Sequence, residues 1–301
     1  MHIGRDHHWN FGVQRELAKN TVVEIDYVGN RGLFLNSTNA LNNPPAGPGG
    51  IQARRPYPSF GSIAFFSQDA STTYHSLQLK AEKRLTQGLW YVVAYTFSKS
   101  MLHQNAPAVG GNTAWEKAPS GFDIPQNLAA SFGYELPVGR GKRFLGQTKG
   151  FTDGLLGGWQ VQGIVVARSG RPFTPAIGAD RANIGVGGQR PNRLGSGKLD
   201  NPTVEKWFDP LAFVLPAQYA YGNAGGNILR EDNFKSADFS VFKQFQVAER
   251  SRLQFRFECF NLANTPSFNA PNANVDNMSG GRVTSTAGSP RQMQVALKYI
   301  F

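Results

Sequence analysis

The sequence has only one cysteine, Cys259, and no apolar run that approaches the roughly 18 to 20 residues of a membrane-spanning helix. An intrachain disulfide framework and a helical membrane protein are therefore excluded. Charge is also scarce, at 17% of 301 residues, although 31 Lys and Arg against 20 Asp and Glu leave the chain basic. In contrast, 34 Gly, 18 Pro and 12% aromatic residues are typical of a turn-rich, all-β chain. The mean hydropathy of −0.35 resembles that of a soluble protein.

Enzyme and cofactor motifs are missing as well. The sequence contains no G-x-S-x-G, H-E-x-x-H or G-x-x-x-x-G-K-[ST] pattern. The five histidines show no ligand spacing beyond the adjacent His7 and His8, whose side chains diverge on a strand. The basic residues are spread along the chain and do not form one patch with interleaved aromatics. We therefore predict no enzyme activity, no metal or cofactor, and no nucleic-acid partner.

Hydrophobic alternation with a period of two residues is the main pattern that is present. Between residues 252 and 262, Leu253, Phe255 and Phe257 alternate with Gln254 and Arg256, as on a strand with one apolar and one wet face. Cys259 falls on the apolar face and is expected to act there as a small hydrophobe. Similar alternation predicts nine strands of roughly seven to twelve residues. These strands cover residues 9–13, 22–29, 75–82, 89–98, 127–136, 159–168, 237–246, 252–262 and 291–301.

The connections between these strands alternate between short and long. Short turns are predicted around Lys19-Asn20, Gln87-Gly88 and Glu249-Arg250, and long loops follow the second, fourth, sixth and eighth strands. Residues 137–158 are the exception, because they form a long connection where a short one is expected. Outer-membrane barrels have short periplasmic turns, long extracellular loops and strands of about ten residues. The sequence therefore predicts an all-β, antiparallel transmembrane β-barrel in the cell outer membrane of a Gram-negative-type bacterium.

Side-chain placement on the two faces supports this prediction. Charged residues on the polar face are expected to line the lumen, where cross-strand ion pairs and water would solvate them. These residues are Lys80, Glu82, Arg84, Arg252, Arg256 and Glu258. Aromatic residues on the apolar face near strand ends are expected to form girdles at the lipid headgroups. The girdle residues are Trp9, Tyr27, Tyr95, Phe97, Tyr134 and Trp159.

The strand count indicates an incomplete barrel. Single-chain bacterial barrels have even strand numbers, whereas nine strands are predicted here. The segment before the first strand also shows no apolar signal-peptide stretch. We therefore expect residues 1–301 to form the C-terminal part of a larger barrel.

Motifs along most of the chain resemble those of the C-terminal barrel of TonB-dependent transporters of the Oar-like type. The motifs are Tyr27-Val28-Gly29-Asn30-Arg31-Gly32, Arg54-Arg55-Pro56-Tyr57-Pro58, Tyr95-Thr96-Phe97-Ser98-Lys99-Ser100, Ser169-Gly170-Arg171-Pro172-Phe173-Thr174, Gly188-Gln189-Arg190-Pro191-Asn192, Trp207-Phe208-Asp209-Pro210, Phe260-Asn261-Leu262 and Ala296-Leu297-Lys298-Tyr299-Ile300-Phe301. Two loop segments depart from the family pattern, namely the acidic stretch at residues 229–234 and Asn264-Thr265-Pro266. Both departures bear on substrate more than on fold.

The resemblance implies a barrel of about 22 strands that imports a bulky nutrient such as a siderophore, glycan or peptide. Such transporters also have a plug domain, a TonB box and a signal peptide, which this sequence does not show. TonB would therefore act only through the missing N-terminal region. The alternative prediction is a secreted or surface β-sandwich adhesin that binds glycans through its long loops.

Two further groups of residues have predicted partners. Basic loop residues are expected to meet lipopolysaccharide or substrate, and the best candidates are Arg171, Arg181, Arg190 and Arg193. Leu297, Tyr299 and Phe301 resemble the signal that the outer-membrane assembly machinery reads on the last strand of its clients. An amphipathic strand can add to the edge of another sheet, which gives this recognition a physical basis.

Overall fold

Nearly all regular structure in the computed structural model, which describes residues 3–106, 110–111 and 114–301, is β-strand. The strands are β1 (Arg5–Ala18), β2 (Thr21–Ala40), β3 (Ala64–Thr86), β4 (Leu89–Asn105), β5 (Trp115–Pro119), β6 (Gln126–Glu135), β7 (Trp159–Arg168), β8 (Pro172–Phe173), β9 (Asn192–Arg193), β10 (Phe213–Val214), β11 (Leu229–Arg230), β12 (Phe234–Ala248), β13 (Ser251–Phe260) and β14 (Gln292–Ile300). The helical elements are two 3-10 turns, Gln52–Arg54 and Pro210–Ala212, and the helix α1 (Gly150–Leu156). None of the described helices is long and apolar enough to cross a membrane.

The main sheet is antiparallel throughout and confirms all nine predicted strands. Its order is β1-β2-β3-β4-β6-β7-β12-β13-β14. The short strand β5 pairs with the C-terminal end of β4, from Met101 to Asn105. Within the described residues, β1 and β14 each pair on one side only, so the sheet is an open path and not a closed barrel. The all-β antiparallel prediction is confirmed, whereas closure into a barrel stays a prediction.

The short connections lie together at one end of the sheet, which we call the hairpin end. Thr86 pairs with Leu89, and the two residues between them, Gln87 and Gly88, have φ values of 53° and 81°. Positive φ at both positions is the geometry of a type I′ turn, whose twist matches that of the flanking strands. Two-residue turns also join β1 to β2 and β12 to β13. Residues 137–158 form the one long connection at the hairpin end, and the other long connections lie at the opposite end, the loop end.

Several strands are longer than the sequence predicts. β2 and β3 remain paired as far as Ala40 and Ala64, so the connection between them is only residues 41–63. The 23 residues of β3 extend about 76 Å at roughly 3.3 Å per residue, well beyond the span of a bilayer. The predicted ends of these strands were wrong because the extensions do not alternate regularly. Leu33, Phe34 and Leu35 are consecutive, as are Phe65 and Phe66, and the pairing shifts register at Leu35. The short strand β5 was missed for the same reason.

One face of the sheet is apolar across all nine strands. Residues directly opposite each other in an antiparallel pair share a face. Val241 pairs with Phe257, which pairs with Val295, whereas Ser240, Glu258 and Gln294 form the adjacent row on the opposite face. Equivalent apolar pairs continue to the other edge of the sheet. They include Val161 with Tyr134, Tyr95 with Leu79, and Tyr27 with Phe11.

Among the described residues, no protein layer covers most of this apolar face. Val295 is 67% exposed, and Phe11 and Leu297 are similarly open. The largest cluster of buried apolar residues lies instead at the loop end, where Phe208 and Phe213 are almost fully buried. A soluble sheet would cover such a face with helices or a second sheet. The apolar face therefore requires lipid as its solvent.

We predict that the two faces tolerate charge very differently. Val241→Arg places a charge on the apolar face and should destabilise the protein, because such a charge costs about 0–1 kcal/mol near the headgroups and up to about 2–4 kcal/mol at the bilayer centre. Ser240→Arg is the matched control, because it adds the same side chain one position away on the face that carries Glu258. The free energy of unfolding in lipid vesicles, from urea titration, measures both. Equal losses for the two variants would contradict the assignment of the faces.

Candidate functional site

The long connections fold against one another into a unit that we call the loop assembly, comprising residues 41–63, the described part of 106–125, 169–233 and 261–291. Residues 169–233 lie at its centre. The amide of Gly47 donates to the carbonyl of Ala182 at 3.3 Å, and the amide of Trp207 donates to that of Gly281 at 2.7 Å. The four connections therefore form one structure and not four independent loops.

A small apolar core stabilises the loop assembly. Phe208 lies at its centre, with the rings of Phe173 and Phe213 at centroid distances of 5.7 and 6.1 Å. Ala224 and Leu229 are buried in the same cluster. Edge-on and tilted aromatic contacts of this kind contribute about 0.5–1.5 kcal/mol each beyond burial. Two of the family-like motifs, at residues 169–174 and 207–210, thus supply core residues.

The pair between Glu116 and Arg190 fastens the centre of the assembly to β5. Both guanidinium Nη atoms donate to the Glu116 carboxylate, and Arg190 also donates to the carbonyl of Ala224 at 3.1 Å. The amide of Gly226 donates to the same carboxylate at 2.7 Å. Burial raises the pKa of Glu116, but the hydrogen bonds from Arg190 and Gly226 outweigh it and hold the pKa below its usual value. Glu116 is therefore ionised and committed to this contact.

A second buried carboxylate joins the loop assembly to β4. The side chain of Asp123 is 0% exposed and accepts hydrogen bonds from the amide of Ser100 at 2.6 Å and from Arg230. Lys99 lies 3.5 Å away. Arg230 also donates to the carbonyl of Gly170. A fully buried charge requires this degree of pairing, since leaving it unpaired costs several kcal/mol.

A third carboxylate organises the Gly-rich turn at residues 180–189. Asp180 accepts hydrogen bonds from the amides of Ile184 and Gly185 and from the side chain of Gln189. Burial raises its pKa, but these donors outweigh burial, so the pKa of Asp180 lies below its usual value. Gln189 belongs to the family-like motif at residues 188–192, so this motif too has a structural role.

The acidic stretch that departs from the family pattern lies where β12 meets the loop assembly. Burial raises the pKa of Glu231, and the charges of Arg171 and Arg168 only partly offset this effect. Burial also raises the pKa of Asp232. Among the described residues these half-buried carboxyls have no ion pair of the kind found at Glu116, so they, like the exposed Asp200 and Glu205, are available to an external ligand.

The four arginines predicted to bind ligand do not converge on one point. Arg190 is committed to Glu116, Arg181 donates to the carbonyl of Pro216 at 3.0 Å, and Arg193 donates to that of Gly195 at 2.7 Å. Arg171 is exposed beside Glu231. Ligand binding by these residues stays a prediction, and Arg171 is the member with the freest surroundings. Pairings such as Glu116 with Arg190 were missed because no local spacing signals them.

The predicted aromatic residues all lie on the apolar face and form two groups. Tyr134 and Trp159 lie near the hairpin end. The other four lie toward the loop end. There, the Tyr27 hydroxyl and Nδ1 of His75 share a hydrogen bond of 2.7 Å, and the ring centroids of His75 and Trp9 are 6.0 Å apart. The loop-end group is Trp9, Tyr27, Tyr95 and Phe97. Their position at lipid headgroups stays a prediction.

The predicted assembly-signal residues lie along the outer edge of the sheet. Leu297 and Tyr299 are on the apolar face of β14, opposite Phe255 and Leu253. Phe301 follows β14 and is 94% exposed, and its ring centroid lies 6.1 Å from that of Tyr299.

The polar face of the sheet carries the charged residues predicted for the lumen, but two of their ion pairs join residues of the same strand and not of neighbouring strands. They are Lys80–Glu82 and Arg256–Glu258.

Comparison with known proteins now adds to this geometry. Residues 1–294 match the family model of the outer membrane beta barrel domain. The chain belongs to this family. As an outer-membrane β-barrel domain, it is located in the outer membrane, and its apolar face is the lipid-facing one. No curated protein matches the chain.

Among solved structures, the outer membrane transporter YddB from Escherichia coli has the same fold. The match has a TM-score of 0.54 at 12% sequence identity and covers 99% of this chain. It covers 32% of the YddB chain, so this chain spans about a third of that structure's length. Because short turns of outer-membrane barrels face the periplasm, the hairpin end is periplasmic and the loop assembly extracellular.

We predict that breaking the Glu116–Arg190 pair loosens the loop assembly. Glu116→Gln leaves Arg190, which is 11% exposed, without its counter-charge, and the loss of such a pair costs about 3–5 kcal/mol. Residues 169–233 should then be cleaved much faster by trypsin added to intact cells. Asp209→Asn is the control, because it breaks the more exposed pair with Lys206 in the same loop and removes no trypsin site, and a loss below about 1 kcal/mol is expected.

The same pair predicts a pH dependence. Because the folded state lowers the pKa of Glu116 below 4.5, the stabilisation is present above pH 4.5 and is lost as the pH falls through the folded pKa. Pepsin should therefore cleave the loop assembly increasingly as the pH drops below about 4.5, and less steeply so in Glu116→Gln. An identical pH profile in both proteins would refute this role of Glu116.

Proposed function

We propose that this chain forms the C-terminal wall of an outer-membrane transporter that imports a bulky nutrient. The observation that supports the proposal is a single two-faced sheet whose extracellular end holds a folded assembly of four connections. A passive pore needs no such assembly, whereas a receptor needs a shaped and rigid surface above its lumen. The solved transporter with the same fold supports the same interpretation.

The proposed barrel contains more strands than the described sheet. β1 and β14 each expose an unpaired edge in the described structure, and open edges within a membrane leave backbone groups without partners. Additional strands that join these edges would satisfy those groups. The chain aligns with about a third of the YddB chain, as a nine-stranded part of a much larger barrel would.

The finer proposal is a TonB-dependent transporter of the Oar-like type. Its support is the set of family-like motifs, several of which converge in the loop assembly. Phe208 lies in the apolar core, Arg190 pairs with Glu116, and Gln189 binds Asp180. The motifs thus maintain the structure of the loop assembly. The exposed residues of the loop assembly would select the substrate, and Arg171 and Glu231 are the leading candidates for that role. A siderophore, glycan or peptide remains the proposed cargo.

The alternative, a β-sandwich adhesin, has weaker support. A sandwich buries its core between two packed sheets. Among the described residues, the additional sheets are two-stranded pairs within the loop assembly, and neither covers the apolar face of the main sheet. The outer-membrane location fits an integral barrel better than a secreted sandwich.

Uptake measurements test the transport proposal. In the bacterium that produces the protein, deletion of its gene should abolish the accumulation of one labelled class among ferric siderophores, oligosaccharides and peptides. Loss of TonB should abolish accumulation of the same class, because import against a gradient needs an energy source. Unchanged accumulation of all three classes after gene deletion would overturn the proposal. Gene-dependent uptake without TonB would leave a transporter but refute TonB dependence.

We also propose that Leu297, Tyr299 and Phe301 are read by the outer-membrane assembly machinery. Phe301→Ala should lower the amount of heat-modifiable barrel in the outer-membrane fraction several-fold. Phe122→Ala is the matched control, because Phe122 is a similarly exposed phenylalanine in the loop assembly. Equal barrel yields for the two variants would count against an assembly role of Phe301.

A further inference from the structure

The connection between β6 and β7 is the one hairpin-end connection that is not a tight turn, and we call residues 137–158 the rim segment. It folds into a small unit around Asp153. The carboxylate of Asp153 accepts a 2.6 Å hydrogen bond from the amide of Arg140, and the amide of Gly157 donates to the carbonyl of Asp153. The amide of Phe144 donates to the carbonyl of Pro137. The rim segment is therefore an ordered structure that ends in α1.

Two side chains of the lipid-facing surface hold α1 in place. Lys243 and Trp159 are paired residues of β12 and β7 on the apolar face. The ammonium of Lys243 donates to the carbonyl of Gly154, and the indole N–H of Trp159 donates to the carbonyl of Leu155 at 2.9 Å. Both acceptors lie in the last turn of α1, where unpaired carbonyls favour a cation. The rim segment therefore lies against the lipid-facing side of the wall and not in the lumen.

The exposed surface of the rim segment is both apolar and basic. Phe151 is 85% exposed, and Phe144, Leu145, Leu155 and Leu156 are exposed as well. The segment has four basic residues against one carboxylate, Asp153, which is already engaged by the Arg140 amide. Among the described residues, only Lys142 of these four has an ion-pair partner, namely Glu135. Arg140, Arg143 and Lys149 therefore have no ion-pair partner in the described part of the chain, although the Arg143 guanidinium lies 5.5 Å from the centre of the Phe144 ring.

We propose that the rim segment binds the periplasmic leaflet of the outer membrane, with its apolar side chains inserted at the headgroup level and Arg140, Arg143 and Lys149 on anionic phospholipid headgroups. The apolar side chains continue the lipid-facing surface at Trp159, and the charge complements an anionic lipid surface. This inference rests on the outer-membrane location and holds whether or not the protein is a transporter.

An environment-sensitive dye on the rim segment tests the proposal. Thr152→Cys places a thiol on the exposed surface of α1 without removing an apolar side chain, and NBD attached there reports contact with lipid. The full-length protein is extracted from outer membranes and placed in nanodiscs of phosphatidylcholine, or of phosphatidylcholine and phosphatidylglycerol in equal amounts. The protein without the new cysteine gives the background from Cys259, which is buried.

Bound headgroups should give blue-shifted NBD emission and slow reduction by dithionite in the nanodiscs that contain phosphatidylglycerol. Each basic side chain near an anionic surface strengthens partitioning roughly fivefold, so removal of three should weaken it about a hundredfold. In the triple variant Arg140→Gln/Arg143→Gln/Lys149→Gln, NBD emission and the rate of its reduction by dithionite should therefore be the same in the two types of nanodisc. The control Lys19→Gln/Arg84→Gln/Arg250→Gln removes the same charge from the rest of the hairpin end and should retain the difference in NBD emission between the two lipids.

Several outcomes would overturn the proposal. One is identical NBD emission in the two nanodisc types, and another is an unchanged lipid difference in the variant that lacks Arg140, Arg143 and Lys149. Reversal of the blue shift by inorganic phosphate at constant ionic strength would indicate a phosphate site and not a lipid surface. A blue shift that appears only after addition of periplasmic extract would indicate a protein partner. Heat-modifiable migration verifies that each variant is folded.

Discussion

The apolar face of the nine-stranded sheet, which almost no protein covers, is the constraint on which the rest of the structure depends. In a bilayer, every backbone group must find its partner within the protein, so the strands pair along their whole length, and the open edges at β1 and β14 are the basis for proposing further strands. The same constraint divides the side chains. Rows such as Val241–Phe257–Val295 face lipid, while the neighbouring row of Ser240, Glu258 and Gln294 faces the opposite side.

Because lipid replaces the usual protein core, the protein forms its buried core outside the bilayer. Phe208, Phe213 and Leu229 pack in the loop assembly, at the end where four long connections meet. That core is small, and buried ion pairs supplement it. Glu116–Arg190 joins residues 169–233 to β5, and Asp123–Arg230 joins them to β4 through the amide of Ser100. The extracellular surface is thereby held in fixed register with the wall, as a shaped binding surface requires.

The parts of the fold that could be predicted from sequence are those that the bilayer constrains. A strand between lipid and water must alternate, which is why all nine strands were predicted and why Leu253 to Cys259 indicated their faces. Regular alternation is lost toward the loop end, so the extensions of β2 and β3 to Ala40 and Ala64 and the strand β5 were missed. Contacts between distant residues have no local signal either. Arg190 was predicted to bind ligand, yet the structure pairs it with Glu116 from another loop.

Lys243 shows how a local exception to the pattern indicates a second structure. An ammonium in a lipid-facing row is costly, but Lys243 is only 3% exposed, with the rings of Trp159 and Phe245 at 5.5 and 4.9 Å and the end of α1 as its acceptor. The residue is tolerated because the rim segment covers it. The unexpectedly long connection at residues 137–158 and the unexpectedly charged residue in β12 therefore have one cause. A helix packed on the outside of the wall, at the level where lipid headgroups begin, explains both.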